Sequence, residues 1–216
     1  MSESEIFREV DEDLRHEQMV RLWRRFAPYV LAVGLVIVVG TSATVGWRAY
    51  TNAQQKYWGE LFYEGMLLRT QEGGTEVAIE TFANLSEEAC DGYRTLALLD
   101  QAALLATNGE TEQALEIYKG LTTDGVNQAM RDLALLYTVF YEIDTGEPDE
   151  LRKRLSSLLP SDNPWHYSAS ELIGFLALRV GDEETAKETF NRLAADESAP
   201  KAMKGRAKDM VAVLGD

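Results

Sequence analysis

The chain has 216 residues, 45% hydrophobic and 26% charged, with a formal net charge of −15. That is room for one ordinary domain with appendages, and it argues against global disorder. One Cys excludes an intramolecular disulfide framework and a Cys-rich zinc site, two His set 150 positions apart leave no multi-His metal centre, and the acidic balance argues against nucleic-acid binding, which needs a basic face.

Charge divides the chain into three parts. Residues 1–25 hold seven acids and five Arg, residues 26–47 hold no charge, and residues 48–216 hold 29 acids against 16 bases. In the first part Ile6, Val10 and Leu14 recur at i, i+4, i+8 with Phe7 beside them, which predicts an amphipathic helix. It reads either as an interfacial helix or as a docking helix for a partner on the cytoplasmic side.

The second part, Phe26 to Trp47, is FAPYVLAVGLVIVVGTSATVGW. At about 1.5 Å per residue, 22 helical residues span about 33 Å, enough for a hydrocarbon layer of about 30 Å. Trp23, Phe26 and Tyr29 flank one end and Trp47 and Tyr50 the other, as interfacial rings do. Pro28 falls near the start, where a missing N–H costs little. A buried core helix and a cleaved signal peptide ending at Thr41-Ser42-Ala43 are the alternatives. The uncharged run exceeds most core helices, and a 25-residue leader with seven acids is unlike a short basic signal region. Arg15, Arg21, Arg24 and Arg25 precede the run, while Arg48 and Lys56 follow it. This bias predicts a cytoplasmic N-terminus, with residues 48–216 across the membrane.

The third part repeats. Gly73, Gly109, Gly146 and Gly181 are spaced 36, 37 and 35 apart. Five residues after each comes Ala78, Ala114, Leu151 or Ala186; nine after, Phe82, Tyr118, Leu155 or Phe190; twelve after, Leu85, Leu121, Leu158 or Leu193. The stretch before each Gly is apolar on several faces and predicts a sandwiched helix; the stretch after it is amphipathic. Gly109 and Gly181 suit helix C-termini, Asp182 suits an N-cap and Pro148 a first turn. Lys201 to Leu214, after Pro200, fits a capping helix. The expected fold is all-α: one N-terminal transmembrane helix, then an α-solenoid of about four helix pairs with a C-terminal cap. ETEQALEIYKGL (110–121) and DEETAKETFNRL (182–193) resemble the second helix of the tetratricopeptide repeat. The third unit, lacking the small Ala and the aromatic, is degenerate.

No catalytic, cofactor-binding or metal-binding constellation is read from the sequence. Cys90 has no basic neighbour and reads as an idle thiol. His166, in Asn163-Pro164-Trp165-His166, reads as part of a helix start, with Asn163 capping, Pro164 opening and Trp165 packing. Asp11-Glu12-Asp13 lacks the turn and bidentate Glu of a calcium loop. No phosphate-binding, dinucleotide or zinc-protease motif occurs, so a binding role is expected rather than an enzyme. Solenoids bind along a concave groove lined by their first helices. Arg94, Gln101, Arg131 and Tyr137 interrupt apolar runs there and are the candidates for a partner groove, with hydrogen bonding between repeats as the other reading.

The whole chain resembles the YfgM family, the ancillary subunit of the bacterial SecYEG translocon, with the alphaproteobacterial branch the closer likeness. The resemblance rests on Ile6 to Arg15, Leu22-Trp23, Gly92-Tyr93-Arg94, Arg131-Asp132-Leu133-Ala134 and Asn163-Pro164-Trp165. It implies a single-pass inner-membrane protein with a periplasmic repeat domain. It also implies association with translocon subunits, a membrane-anchored periplasmic chaperone and newly exported client proteins, with no cofactor. The alternative is a membrane-anchored scaffold for envelope assembly or cell division, independent of secretion.

Overall fold

The structure, a computed structural model, describes residues 3–123 and 127–215. Among them are nine α-helices and no strand: α1 (Glu3–Leu68), α2 (Thr75–Glu88), α3 (Asp91–Thr107), α4 (Thr111–Leu121), α5 (Gln128–Glu142), α6 (Pro148–Leu155), α7 (His166–Arg179), α8 (Glu183–Ala195) and α9 (Lys201–Leu214). A 3-10 turn, Ser156–Leu158, extends α6. Contacts divide the chain into two compact units, 1–57 and 58–216.

The first unit is helical from Glu3 onward. The stripe of Ile6, Phe7, Val10 and Leu14 lies outside the described side chains. Pro28 sits inside α1 rather than near its start; the helix continues on both sides although the ring supplies no N–H for the turn before it. Leu31, Leu35, Val36, Ile37, Val38 and Val39 are all exposed, with nothing packed on them. Hydroxyls turn inward: Thr41 Oγ1 donates to the Ile37 carbonyl at 2.8 Å and Thr44 Oγ1 to that of Thr41 at 2.8 Å. The helix thus satisfies its own polar groups and exposes hydrocarbon, the condition a lipid environment imposes. By length and composition it can cross a membrane.

The second unit is the repeat array. The end of α1 pairs with α2, α3 with α4, α5 with α6, and α7 with α8, while α9 packs on α8. All twelve positions of the three repeated columns are at most 4% exposed, which explains the period: each column is a layer of the core. Gly109 and Gly181 take φ of 91° and 75°, a left-handed turn that a side chain would strain, and each follows the end of its first helix. Asp182 caps α8 through Thr185 N–H at 3.0 Å, and Pro148 opens α6.

Within each unit, size is matched across the pair. A Cβ added at Gly174 would lie 2.7 Å from the Phe190 ring, and one at Gly65 2.8 Å from Phe82. The equivalent partners are Ala102 with Tyr118 and Val139 with Leu155, each couple in one core cluster. The third unit is therefore the same packing solved with a larger first-helix residue and a smaller second-helix one. It keeps the shape of the repeat without its letters.

The start of α7 differs from the sequence expectation. The helix begins at His166, and Asn163 and Pro164 lie in the turn before it. Asn163 Oδ1 accepts the Trp165 N–H at 2.8 Å, but its amide is committed elsewhere, donating to Asp132 Oδ2 at 2.8 Å. Asn163 therefore braces the turn before α7 with its carbonyl oxygen and ties that turn to α5 with its amide.

Candidate functional site

An open apolar surface of the repeat unit lies between the first helices α5 and α7. Two adjoining cavities of about 490 and 500 Å3 share Phe140, Leu172 and Phe175. Leu136, Tyr137, Trp165 and, from α9, Arg206 line the one of about 490 Å3. Phe140 is 51% exposed and Tyr137 37%. The repeat period explains why these residues line up. Counting back six from Gly109, Gly146 and Gly181 gives Ala103, Phe140 and Phe175; counting back nine gives Asp100, Tyr137 and Leu172. Of these three units, only the last two fill both positions with large apolar or aromatic groups.

Polar bonds fix the walls. Trp165 Nε1 donates to the Ala129 carbonyl at 2.9 Å, and Asn163 to Asp132, which also accepts from Gln128 at 2.7 Å. The start of α7 is thereby tied to the first turns of α5. At the other end Arg179 Nη1 donates to the carbonyls of Ile143 and Gly146, both at 2.7 Å, in the turn that follows α5. Arg206 of α9 grips Glu171 of α7 in a bidentate pair, both contacts 2.8 Å. Glu142 accepts from Lys119 at 2.6 Å and Arg154 at 3.0 Å, joining α4, α5 and α6.

Behind the groove Tyr118 stacks on Tyr137, centroids 5.0 Å apart, and on Tyr141, 6.0 Å apart. The Tyr118 hydroxyl is buried without a hydrogen-bond partner, and burial, with the neighbouring tyrosines, pushes its ionisation well above the usual phenol range. Burial likewise raises the Asp100 carboxyl, although Arg69 at 2.8 Å opposes the shift.

The four residues singled out from sequence occupy different settings. Tyr137 lines the cavity of about 490 Å3. Arg94 Nε donates to the Ser86 carbonyl of α2 at 3.0 Å, a bond between repeats. Arg131 sits in the first turns of α5 and bonds Gln128. Gln101 is half-buried on α3. The structure brings Tyr137 together with Phe140, Leu172 and Phe175, which sequence reading treated only as apolar filling. Their signal was present: Phe140 and Phe175 are 35 residues apart, one period, at the same place before their Gly. Leu159 accepts from His166 Nδ1, and Cys90 is exposed at the start of α3. Among the described residues no group of three or more His, Cys, Asp or Glu is placed to hold a metal. The surface offers apolar contact and paired charges.

A family model described as a tetratricopeptide repeat-like domain matches residues 21–212. A curated relative, the ancillary SecYEG translocon subunit of Aggregatibacter actinomycetemcomitans, is 23% identical over 157 residues, covering 72% of this chain and 76% of the relative. No solved structure matches.

Proposed function

The chain belongs to the tetratricopeptide repeat-like family, and on that premise we propose that it is a non-enzymatic, membrane-anchored adaptor of the protein-export translocon. Residues 1–25 form a cytoplasmic tail, 26–47 the single inner-membrane span and 48–216 a periplasmic repeat domain. That domain links translocon subunits to a periplasmic chaperone and to exported clients. The orientation rests on the four Arg before the span. The translocon assignment is supported by the relative's name and by the sequence likeness to YfgM. One observation carries the binding role: an open apolar groove on α5 and α7, its walls held by polar bonds. Anchoring raises the local concentration of the groove near the export pore, so weak contacts suffice.

The test is co-purification of the tagged full-length protein from native membranes in mild detergent, beside a version whose span is replaced by a cleavable signal. Translocon subunits and a periplasmic chaperone should accompany the full-length form, and translocon recovery should drop with the replaced span. Recovery of division or wall-assembly proteins instead would replace the export role with a scaffold role on the same fold.

A further inference from the structure

The groove is long and offers a ligand little to bond. Leu133, Trp165 and Ser168, nearer the N-termini of α5 and α7, line one cavity; Ile143, Asp144, Leu178 and Arg179, at their C-termini, line the other. From Leu133 to Ile143 the apolar lining runs about 15 Å at the helical rise. The polar groups of the wall are already committed. Glu171 and Arg206 hold each other, Arg179 holds two carbonyls and Trp165 Nε1 a third. Among the described residues, the polar side chains of the lining without a protein partner are the hydroxyls of Tyr137 and Ser168 and the exposed carboxylate of Asp144. The backbones of α5 and α7 spend their own N–H and C=O groups internally, as α-helices do.

This wall selects the conformation of its occupant. An extended segment laid along it would bury backbone N–H and C=O groups against side chains with two hydroxyls to give, and each group left unmatched costs about 1–3 kcal/mol. A helix arrives with those groups bonded and presents side chains alone. We propose that the groove binds an amphipathic α-helix of a partner protein, about three turns long, with large apolar residues at i, i+3 or i+4 and i+7 seated between α5 and α7 and with Lys or Arg on its flanks. The proposal rests on the adaptor reading and specifies the chemistry of the bound partner. Three turns rise about 16 Å, which matches the apolar lining of α5. The sign of the flanks follows from charge. Residues 58–216 carry 29 acids and 14 bases, and the charged group of the lining that is neither ion-paired nor hydrogen-bonded among the described residues, Asp144, is a carboxylate. The rings of Phe140 and Phe175 supply affinity by desolvation, and the field of the domain speeds the approach of a cationic helix and repels an acidic one.

The test uses the full-length protein in phosphatidylcholine nanodiscs, with empty nanodiscs as control. Fluorescence anisotropy reads binding of three labelled synthetic peptides of about 15 residues, long enough for a helix to form on the surface. The first has Leu and Phe at helical spacing with Lys and Ala elsewhere. The second has the same composition with Leu and Phe at alternate positions, the spacing of a strand. The third is the first with Glu in place of Lys. The first should bind, more weakly as salt rises, with the strand-spaced peptide at least about tenfold weaker and the Glu peptide at least about threefold weaker. Phe140→Gln, a change at a half-exposed ring, should weaken the first peptide about tenfold while leaving its salt dependence in place. Binding of the strand-spaced peptide as tight as that of the helical one overturns the proposal. So does equal binding of the Lys and Glu peptides, or unchanged affinity in Phe140→Gln protein that melts like the parent. Co-purification with the translocon does not depend on these peptides, so a helical peptide that fails to bind beside an intact pull-down rejects the helix ligand and leaves the adaptor role standing.

Discussion

Replacing Gly174 by Val and Phe190 by Leu would rewrite the fourth unit in the letters of the third, where Val139 and Leu155 hold these places. At Gly174 a Cβ alone would stand 2.7 Å from Phe190 Cζ and 3.0 Å from Cε1 and Cε2. Carbon atoms rest at about 3.5–4.0 Å, so the ring must withdraw by about 1 Å. It has nowhere to go, being fully buried and packed edge-on against Phe175 at 5.3 Å. Overpacking of this kind costs about 1–3 kcal/mol, and the two further methyl carbons of Val place Gly174→Val toward the upper end. Val is a slightly better helix former than Gly, which returns only a few tenths of a kcal/mol. Phe190→Leu alone opens a small cavity and costs about 1–2 kcal/mol. The double variant removes the clash and fills the cavity together, so it should be more stable than Gly174→Val alone. The coupling between the sites should be about 1–3 kcal/mol. Urea titrations of full-length protein in nanodiscs, followed by far-UV CD across all four variants, give the cycle. Additive midpoint shifts, within about 0.5 kcal/mol, would refute the idea that the degenerate unit is a compensated pair.

Tyr118→Phe should be neutral or stabilising by up to about 1 kcal/mol at pH 7, because it deletes a buried hydroxyl with no partner. It should also flatten the alkaline limb: the folded state holds the Tyr118 proton above pH 10 while the unfolded chain releases it, so the parent loses stability as pH rises through about 10 and the variant loses less. Thermal melts at pH 7 and pH 10.5 check both signs. Asp132→Ala strands the amides of Asn163 and Gln128 and should cost about 1–3 kcal/mol in urea, with Asp132→Asn costing less. Cys90 is the single thiol and is exposed, so it reports topology: a membrane-impermeant maleimide should label it in cells with a permeabilised outer membrane and an intact inner one. Labelling only after the inner membrane is opened would invert the proposed orientation.

The repeated columns were legible because burial in a solenoid is periodic. Ala78, Phe82 and Leu85 and their counterparts face the same neighbours in every unit, so the same residue sizes return about every 36 positions. The groove was not legible in the same way. Phe140 and Phe175 are as apolar as Leu176 or Val139, and hydropathy does not say which apolar residue on a sandwiched helix is left uncovered. That depends on how far neighbouring first helices splay, which the local pattern does not encode. The start of α7 was misplaced for a related reason. Asn163 next to Pro164 has the local chemistry of a cap, but its oxygen braces Trp165 in a turn before the helix, and that turn is tied by the Asn163 amide to Asp132, 31 residues earlier.

The unit that looked degenerate is also the one that carries the groove, and its polar bonds explain how both hold at once. A first helix of a repeat is ordinarily held by burying most of its surface. The second helix behind α5, α6, is only eight residues long, and α5 keeps Phe140 half in solvent. It is held at its ends instead. Asn163 and Trp165 secure its first turns, Arg179 holds the carbonyls of the turn that follows it, and Glu142 draws in Lys119 and Arg154 from both sides. With the ends fixed, Tyr137 and Phe140 in the middle need not be covered for the helix to stay in place. Arg179→Ala therefore tests more than one hydrogen-bond pair. It should cost about 1–2 kcal/mol of stability through the two carbonyls it leaves unpaired. It should also raise hydrogen exchange at the C-terminal end of α5, while the first turns, tied to α7 through Trp165 and Asp132, stay protected. Uniform loss of protection along α5 would mean the helix is held by its packed face after all, and that the open groove needs another explanation.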